Sequence, residues 1–329
     1  MTAARLHVYL TQPVAALALA RLREAASVTM NDDPLHMVTR DELLAGVRPA
    51  DVLFCLLHDR VDAGVLEAAT RLRLIASMAI TPANVDVAAA TARGIPVTVI
   101  PPLVTEATAD VTFALLLAVA RRVVEADRLL RSGVFPGGQS AYLVGGAVNG
   151  KVLGIIGLGA IGTAVARRAR GFGMRVLYTK RHRLSAAEER ERGVEFAPLE
   201  RLLAESDFVS VLAPQTPETH HLIGGPQLRR MKPTAYLINT SRGPLVDEAA
   251  LVTALKERRI AGAGLDVYEQ EPRVSAGLLD LPNVVLTPHI GSAERDTRET
   301  IAGVVVDNIL AFARGDRPPN VFNPEVFER

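Results

Sequence analysis

Six residues near the middle of the chain, Gly157-Leu158-Gly159-Ala160-Ile161-Gly162, have the types and spacing to cradle a pyrophosphate. The first glycine of such a run permits a tight turn, the second lets the backbone approach the phosphates, and the third lets helix and strand pack closely. Alone the pattern is weak. Here the apolar run 152–156 leads into it and a helical pattern, 163–170, leaves it. A helix N-terminus at that point offers unpaired N–H groups and the positive end of a dipole to an anion. The chemistry expected is therefore dinucleotide binding.

A second constellation selects which dinucleotide. About 20 residues beyond the glycines an NAD-binding unit wants an Asp or Glu to accept hydrogen bonds from the ribose 2′-OH. The chain has instead Tyr178-Thr179-Lys180-Arg181-His182-Arg183, with no carboxylate between Met174 and Ala187. A carboxylate would repel a 2′-phosphate, whereas Lys180 and Arg181, with Arg183 a further candidate, attract it. The expected cofactor is NADPH, with NAD accepted at lower preference.

Such residues need a parallel sheet to present them, and the chain is patterned for two. Short apolar runs alternate with longer helical patterns, the signature of βαβ units. Strands are predicted at 6–10, 52–56, 74–77 and 96–99, then at 152–156, 175–178, 208–212, 235–239, 261–266 and 284–287. Residues 14–20 read as the buried face of a first helix. Thr39 with Glu42 forms a capping box, and Asn84 precedes a helix over 85–93. After Pro101-Pro102 a single helix is predicted over 104–131, apolar nearly all round from Val111 to Ala120, as if buried by more than one sheet face. A last helix, 293–314, follows the last strand directly and can return to the first unit. The expected boundaries are 1–101 plus 291–329 for one domain and 102–290 for the other.

Composition bounds the rest. A chain of 329 residues suits two domains, and 49% hydrophobic with 22% charged residues is a globular balance. A formal net charge of +1 gives no electrostatic reason to expect nucleic acid. The one cysteine, Cys55, cannot form an intrachain disulfide, which fits a reducing compartment. No run approaches ~18 consecutive apolar residues, and the first ten residues lack a signal-peptide layout, so a cytoplasmic protein without a membrane association is expected.

Four further blocks, SVLAPQTPET (210–219), INTSRGPLVDEAAL (238–251), AGAGLDVYEQEP (261–272) and TPHIGS (287–292), resemble the D-isomer-specific 2-hydroxyacid dehydrogenases. The similarity is nearest in style to the glyoxylate/hydroxypyruvate reductase branch, whose selector strand also ends in a basic pair. The resemblance implies an α/β protein of two Rossmann-like, doubly wound parallel-sheet domains, the cofactor domain inserted in a flavodoxin-like substrate domain, and a homodimer. It implies reduction of a small 2-oxo acid to a 2-hydroxy acid by hydride transfer.

By the same resemblance Arg242 is the cation that grips the substrate carboxylate and polarises the carbonyl, and His289 is the acid that protonates the developing alkoxide. Histidine suits proton traffic in both directions because its reference pKa, about 6.5, lies near working pH. Glu271 is the expected partner that orients His289; on position alone Glu269 and Asp280 are alternatives. Asp266 is expected near the nicotinamide, with Thr108, Pro214, Thr219, Thr240 and Gly291 along the cofactor. Leu57, Ile80 and Thr81 are expected at the substrate, whereas His58 reads as a surface loop histidine.

The chain departs from the family where Thr81-Pro82-Ala83 replaces a glycine-containing turn, and it has no Trp in the segment 135–143. A phosphite dehydrogenase of the same framework carries a lysine where Ile80 stands, which ranks that alternative low. A non-catalytic, NAD(P)-sensing corepressor-like protein is a second alternative; keeping Arg242, Glu271 and His289 together favours turnover. Histidines and carboxylates show no ligand spacing along the sequence, so no metal is expected. No G-x-S-x-G elbow is present.

Overall fold

The computed structural model describes residues 5–328; residues 1–4 of the leading segment considered above lie outside them. The chain divides into two compact units. One comprises the residues up to Leu103 with those from Ala293 onward, and the other is Val104–Ser292. Both crossings fall a short step beyond Pro101-Pro102 and Ile290, so Gly291 belongs to the central unit rather than to the outer one.

In the outer unit the strands are β1 (His7–Leu10), β2 (Ser27–Met30), β3 (Val52–Cys55), β4 (Leu74–Ser77) and β5 (Val97–Thr98). They pair in parallel in the order β2-β1-β3-β4-β5, the flavodoxin-like arrangement. Every residue of β3 and β4 is buried, as expected of strands covered on both faces, and that is why they read as continuous apolar runs. The edge strand β2, Ser-Val-Thr-Met, alternates between exposed and half-buried residues; it has no apolar run and was not among the predicted strands.

Other local expectations need correction. The helix Ala16–Ala25 buries Ala18 and Leu22 but leaves Leu17 66% exposed, so 14–20 is not a buried face. Asp86, not Asn84, caps the helix Val87–Ala92; Asn84 donates instead to the carbonyls of Leu56 and Asp59. The capping box of Thr39 and Glu42 is present at the helix Arg40–Val47. The helix Arg295–Ala313 packs against Ala16–Ala25 within the same unit.

The central unit holds β6 (Val152–Ile156), β7 (Arg175–Thr179), β8 (Glu195–Phe196), β9 (Phe208–Val211), β10 (Tyr236–Asn239), β11 (Gly262–Leu265) and β12 (Val284–Leu286). All pair in parallel, in the order β12-β11-β10-β9-β6-β7-β8. The order reverses between β6 and β9, the topological switch point at whose carboxyl edge dinucleotides bind in open α/β sheets. The two-residue edge strand β8 was missed for the same reason as β2.

The single helix expected over 104–131 is two, Thr105–Ala120 and Val123–Arg131. Arg122 breaks it with a left-handed φ of +55°. The Ala120 carbonyl accepts from Gly146 N, in the segment that folds back over the break. Thr105–Ala120 buries most of its length against β10, β11 and the helix Ala160–Gly171, so the unit's own elements cover much of it. Val123–Arg131 buries none of its residues. Among the described residues no helix is long and apolar enough to cross a membrane.

Candidate active site

The glycine turn follows β6 at the switch point. Gly157 has φ +97°, and a Cβ there would stand 2.5 Å from Ala213 N in the chain leaving β9. A Cβ on Gly162 would stand 2.5 Å from the Gly157 carbonyl oxygen. A Cβ on Gly159 would meet nothing within 4 Å, although Gly159 is the residue that opens the helix Ala160–Gly171. The first glycine thus permits the turn, the third the close packing, and the second leaves the helix N-terminus open to a ligand. That combination fits a dinucleotide pyrophosphate. Leu158 is buried beneath the turn, Ile161 is half-buried and Ala160 is exposed.

Lys180, directly after β7, reaches back across the turn and donates from Nζ to the Leu158 carbonyl at 3.3 Å. Arg181 is exposed beside it. Arg183 is engaged elsewhere: it makes two hydrogen bonds to Glu189, at 2.8 and 3.0 Å, and lies over the Phe196 ring. Of the three basic candidates, Lys180 and Arg181 are therefore the two not tied to Glu189.

At the carboxyl end of β10 the chain turns through Thr240-Ser241-Arg242-Gly243. Asn239, buried, ties the turn by accepting from Ser241 N at 3.1 Å and donating to the Arg242 carbonyl at 3.0 Å. A Cβ on Gly243 would collide with the Tyr268 carbonyl, so this turn presses against the segment after β11. Arg242 donates from Nη1 to the Ser241 carbonyl at 2.7 Å. Burial pushes its guanidinium below the ordinary value, and the charge of Glu271 opposes that shift. Arg242 and Glu271 thus lie close enough to feel one another's charge.

His289 follows β12 with a left-handed φ of +54°. Its N–H donates to the Asp266 carbonyl at 3.0 Å. Its Nδ1 lies 2.9 Å from Glu271 Oε2, and Glu271 Oε1 accepts from Tyr268 N at 3.0 Å. Burial pushes the Glu271 carboxyl up, but the hydrogen bond and charge of His289, the Tyr268 N–H and the Arg242 charge together hold it below the ordinary range. An ionised carboxylate accepts, so Nδ1 carries the proton and Nε2 is the nitrogen free to exchange one. Of the three candidate partners, Glu269 turns to His221 and Asp280 ends the helix Ala276–Leu279 in an exposed position.

The Asp266 carboxylate is tied to the turn that carries His289. Its Oδ1 accepts from Thr287 Oγ1 at 2.6 Å and Ile290 N at 2.8 Å, and its Oδ2 from Gly291 N at 2.8 Å. Burial still pushes this carboxyl up. Asp266 therefore braces the 287–291 turn that carries His289. Thr108 Oγ1 stands 3.5 Å from where a Cβ on Gly291 would be, and Thr240 Oγ1 lies 2.7 Å from Thr112 Oγ1. Thr219 Oγ1 donates to the Pro214 carbonyl at 2.8 Å, closing the loop after β9.

In the outer unit Leu57 lies in a turn just beyond β3, and Ile80 and Thr81 lie beyond β4, at neighbouring carboxyl ends of that sheet. His58 shares Leu57's turn and its Nε2 is 2.9 Å from Gln12 Nε2 and 3.7 Å from Asp59 Oδ1. Sequence reasoning missed Asn239 and Tyr268; Tyr268 OH also donates to the Thr287 carbonyl at 2.9 Å, joining the segments that bear Glu271 and His289. It also missed a grouping of His220, His221 and Glu269, which the fold brings within 4.8 Å of one another.

Residues 113–291 match the family described as D-isomer specific 2-hydroxyacid dehydrogenase, NAD binding domain. The chain is 50% identical over 321 residues to a glyoxylate reductase of Korarchaeum cryptofilum, covering 97% of this chain and 96% of that protein. It is 48% identical over 323 residues to a glyoxylate reductase of Thermococcus litoralis, covering 97% of each. Among solved structures, that of a glyoxylate reductase from Paecilomyes thermophila superimposes with a TM-score of 0.80 at 30% identity, covering 98% of this chain and all of that one.

Proposed function

The chain belongs to the D-isomer specific 2-hydroxyacid dehydrogenase family of NAD(P)-dependent oxidoreductases, and we propose that it reduces small 2-oxo acids of the glyoxylate and hydroxypyruvate kind to D-2-hydroxy acids, taking NADPH in preference to NADH. The observation that carries this reading is the Glu271–His289 pair beside Arg242, on the same sheet edge as the glycine turn. The bound nicotinamide supplies the hydride. Arg242 binds the substrate carboxylate and polarises the carbonyl. His289, with a proton on each ring nitrogen, gives its Nε2 proton to the carbonyl oxygen as negative charge develops there and is left as the neutral Nδ1–H imidazole. Glu271 accepts from Nδ1–H throughout, which orients the ring and stabilises the charged form from which the proton leaves and to which it returns in the reverse reaction. Lys180 and Arg181 meet the 2′-phosphate of NADPH. On the family resemblance Thr108, Pro214, Thr219, Thr240 and Gly291 line the cofactor with Asp266 near its nicotinamide end, while Leu57, Ile80 and Thr81 are assigned to the substrate.

A homodimer belongs to the same reading, supported by the helix Val123–Arg131, which leaves Val123 52% and Leu130 57% exposed. Light scattering behind a sizing column is expected to give twice the chain mass; a monomer across working concentrations would remove this part.

A panel of 2-oxo acids assayed by NADPH oxidation tests the activity, with phosphite and NADP as a separate arm. Turnover of glyoxylate or hydroxypyruvate is expected, with a lower KM for NADPH than for NADH. A protein that binds NADPH and turns over no member of the panel would be a cofactor-sensing binding protein instead, and phosphite oxidation would select the other enzyme.

A further inference from the structure

His221 and Glu269 lie 48 residues apart in sequence, yet His221 Nε2 is 2.7 Å from Glu269 Oε1. His220 stacks on His221, with ring centroids 4.0 Å apart and planes inclined by 28°. Successive side chains in extended backbone point to opposite sides. Here the left-handed φ of +50° at His221 brings the two rings together on one side. One donor atom from each of His220, His221 and Glu269 lies within 4.8 Å of the others.

We propose that His220, His221 and Glu269 bind a divalent transition-metal ion of the zinc class. Two imidazole nitrogens and one carboxylate oxygen suit zinc, cobalt or nickel, whereas calcium and magnesium prefer oxygen ligands throughout. Metal–ligand bonds of about 2.0–2.2 Å put tetrahedral donors roughly 3.3–3.6 Å apart, so small side-chain rotations about the ion suffice. His220 is exposed, and water completes the coordination on that side. The remaining contacts already orient the ligands. Glu269 Oε2 accepts from Glu248 N at 3.1 Å, and His221 N donates to the Pro244 carbonyl at 2.8 Å. Such outer contacts hold a ligand in its binding geometry.

The ion would join the loop after Thr219 to the segment Tyr268–Glu271, alongside the Arg242–Pro244 turn. It would stiffen the support of Arg242 and Glu271 without touching either side chain. Nothing in the proposed hydride transfer requires it, so this site goes beyond that reading and can fail separately.

The test uses the full chain, stripped with a chelator and titrated calorimetrically with Zn²⁺, and in parallel with Co²⁺ followed by visible absorption. One ion per chain is expected, with a higher melting temperature in its presence and intense Co²⁺ bands of a tetrahedral site. In His220→Asn the affinity falls by more than the roughly 10–100-fold that loss of an outer-shell contact typically costs. His220→Asp, which offers a carboxylate oxygen in place of the nitrogen, retains binding and shifts the Co²⁺ spectrum. Absence of binding by the unmodified chain overturns the proposal. So does binding of the same strength and spectrum in His220→Asn and Glu269→Gln, because the ion would then sit elsewhere.

Discussion

Arg242 carries its charge half-buried, with a guanidinium pushed down by desolvation and a carboxylate near enough to compensate in part. Removing a buried charge relieves a desolvation cost, whereas removing a substrate's charge-assisted partner loses roughly 1.5–3 kcal/mol per hydrogen bond. Arg242→Gln is therefore expected to raise KM for glyoxylate tenfold or more while the melting temperature stays level or rises. A large fall in melting temperature with unchanged KM would make Arg242 a structural residue. Cofactor choice rests on Lys180 and Arg181. Replacing both with Gln is expected to raise KM for NADPH at least tenfold and to leave KM for NADH nearly unchanged, as steady-state kinetics with each cofactor would show. Equal effects on both would assign the pair to something other than the 2′-phosphate. Residue types that act through a local pattern, the glycines and the basic pair, could be read from sequence. Partner choices that depend on the fold could not be read from position: position alone does not separate Glu269, Glu271 and Asp280, only the family resemblance favoured Glu271, and the structure brings Glu271 to His289 while Glu269 turns to His221. The contacts of Asp266 with the 287–291 turn were likewise invisible, because its oxygens meet Thr287, Ile290 and Gly291 only in the folded chain.

At the scale of elements the strand–turn–helix of the glycine turn separates two roles that substitutions can tell apart. Gly159→Ala adds a methyl to open space, so stability should change by less than about 1 kcal/mol, while the same methyl obstructs the approaching phosphates and weakens NADPH binding about tenfold or more. Gly162→Ala puts its methyl 2.5 Å from a backbone oxygen and should lower the melting temperature before cofactor is added. Thermal melts with and without NADPH check both; the opposite ranking would refute the assignment of the open face to the ligand. Parallel strands in the middle of either sheet were legible because both faces are covered and the sequence runs apolar. The edge strands Ser27–Met30 and Glu195–Phe196 were not, since half or more of each strand stays in contact with water. The break at Arg122 was invisible for a different reason. The Ala120 carbonyl at the break accepts from Gly146 N, a distant partner of which local helix preference carries no trace.

Across the whole molecule the chain builds two parallel sheets of different strand order, with the Rossmann-like unit inserted in sequence between parts of the flavodoxin-like one. The two sheets were readable from the alternation of apolar runs and helical patterns, and the family from four motifs in order between residues 210 and 292. Substrate identity was not, because Thr81-Pro82-Ala83 departs from the turn that the family resemblance assigns to the substrate. The central claim is that a sheet edge in the central unit carries an acid–base pair working on a 2-oxo acid. The most direct test is kcat for glyoxylate reduction by His289→Gln, measured at saturating NADPH beside a fluorescence titration of NADPH binding. A loss of roughly 10²–10⁴ in kcat with cofactor affinity unchanged is the predicted result. Turnover within a few-fold of the unmodified enzyme across pH would contradict it, and another group would have to supply the proton.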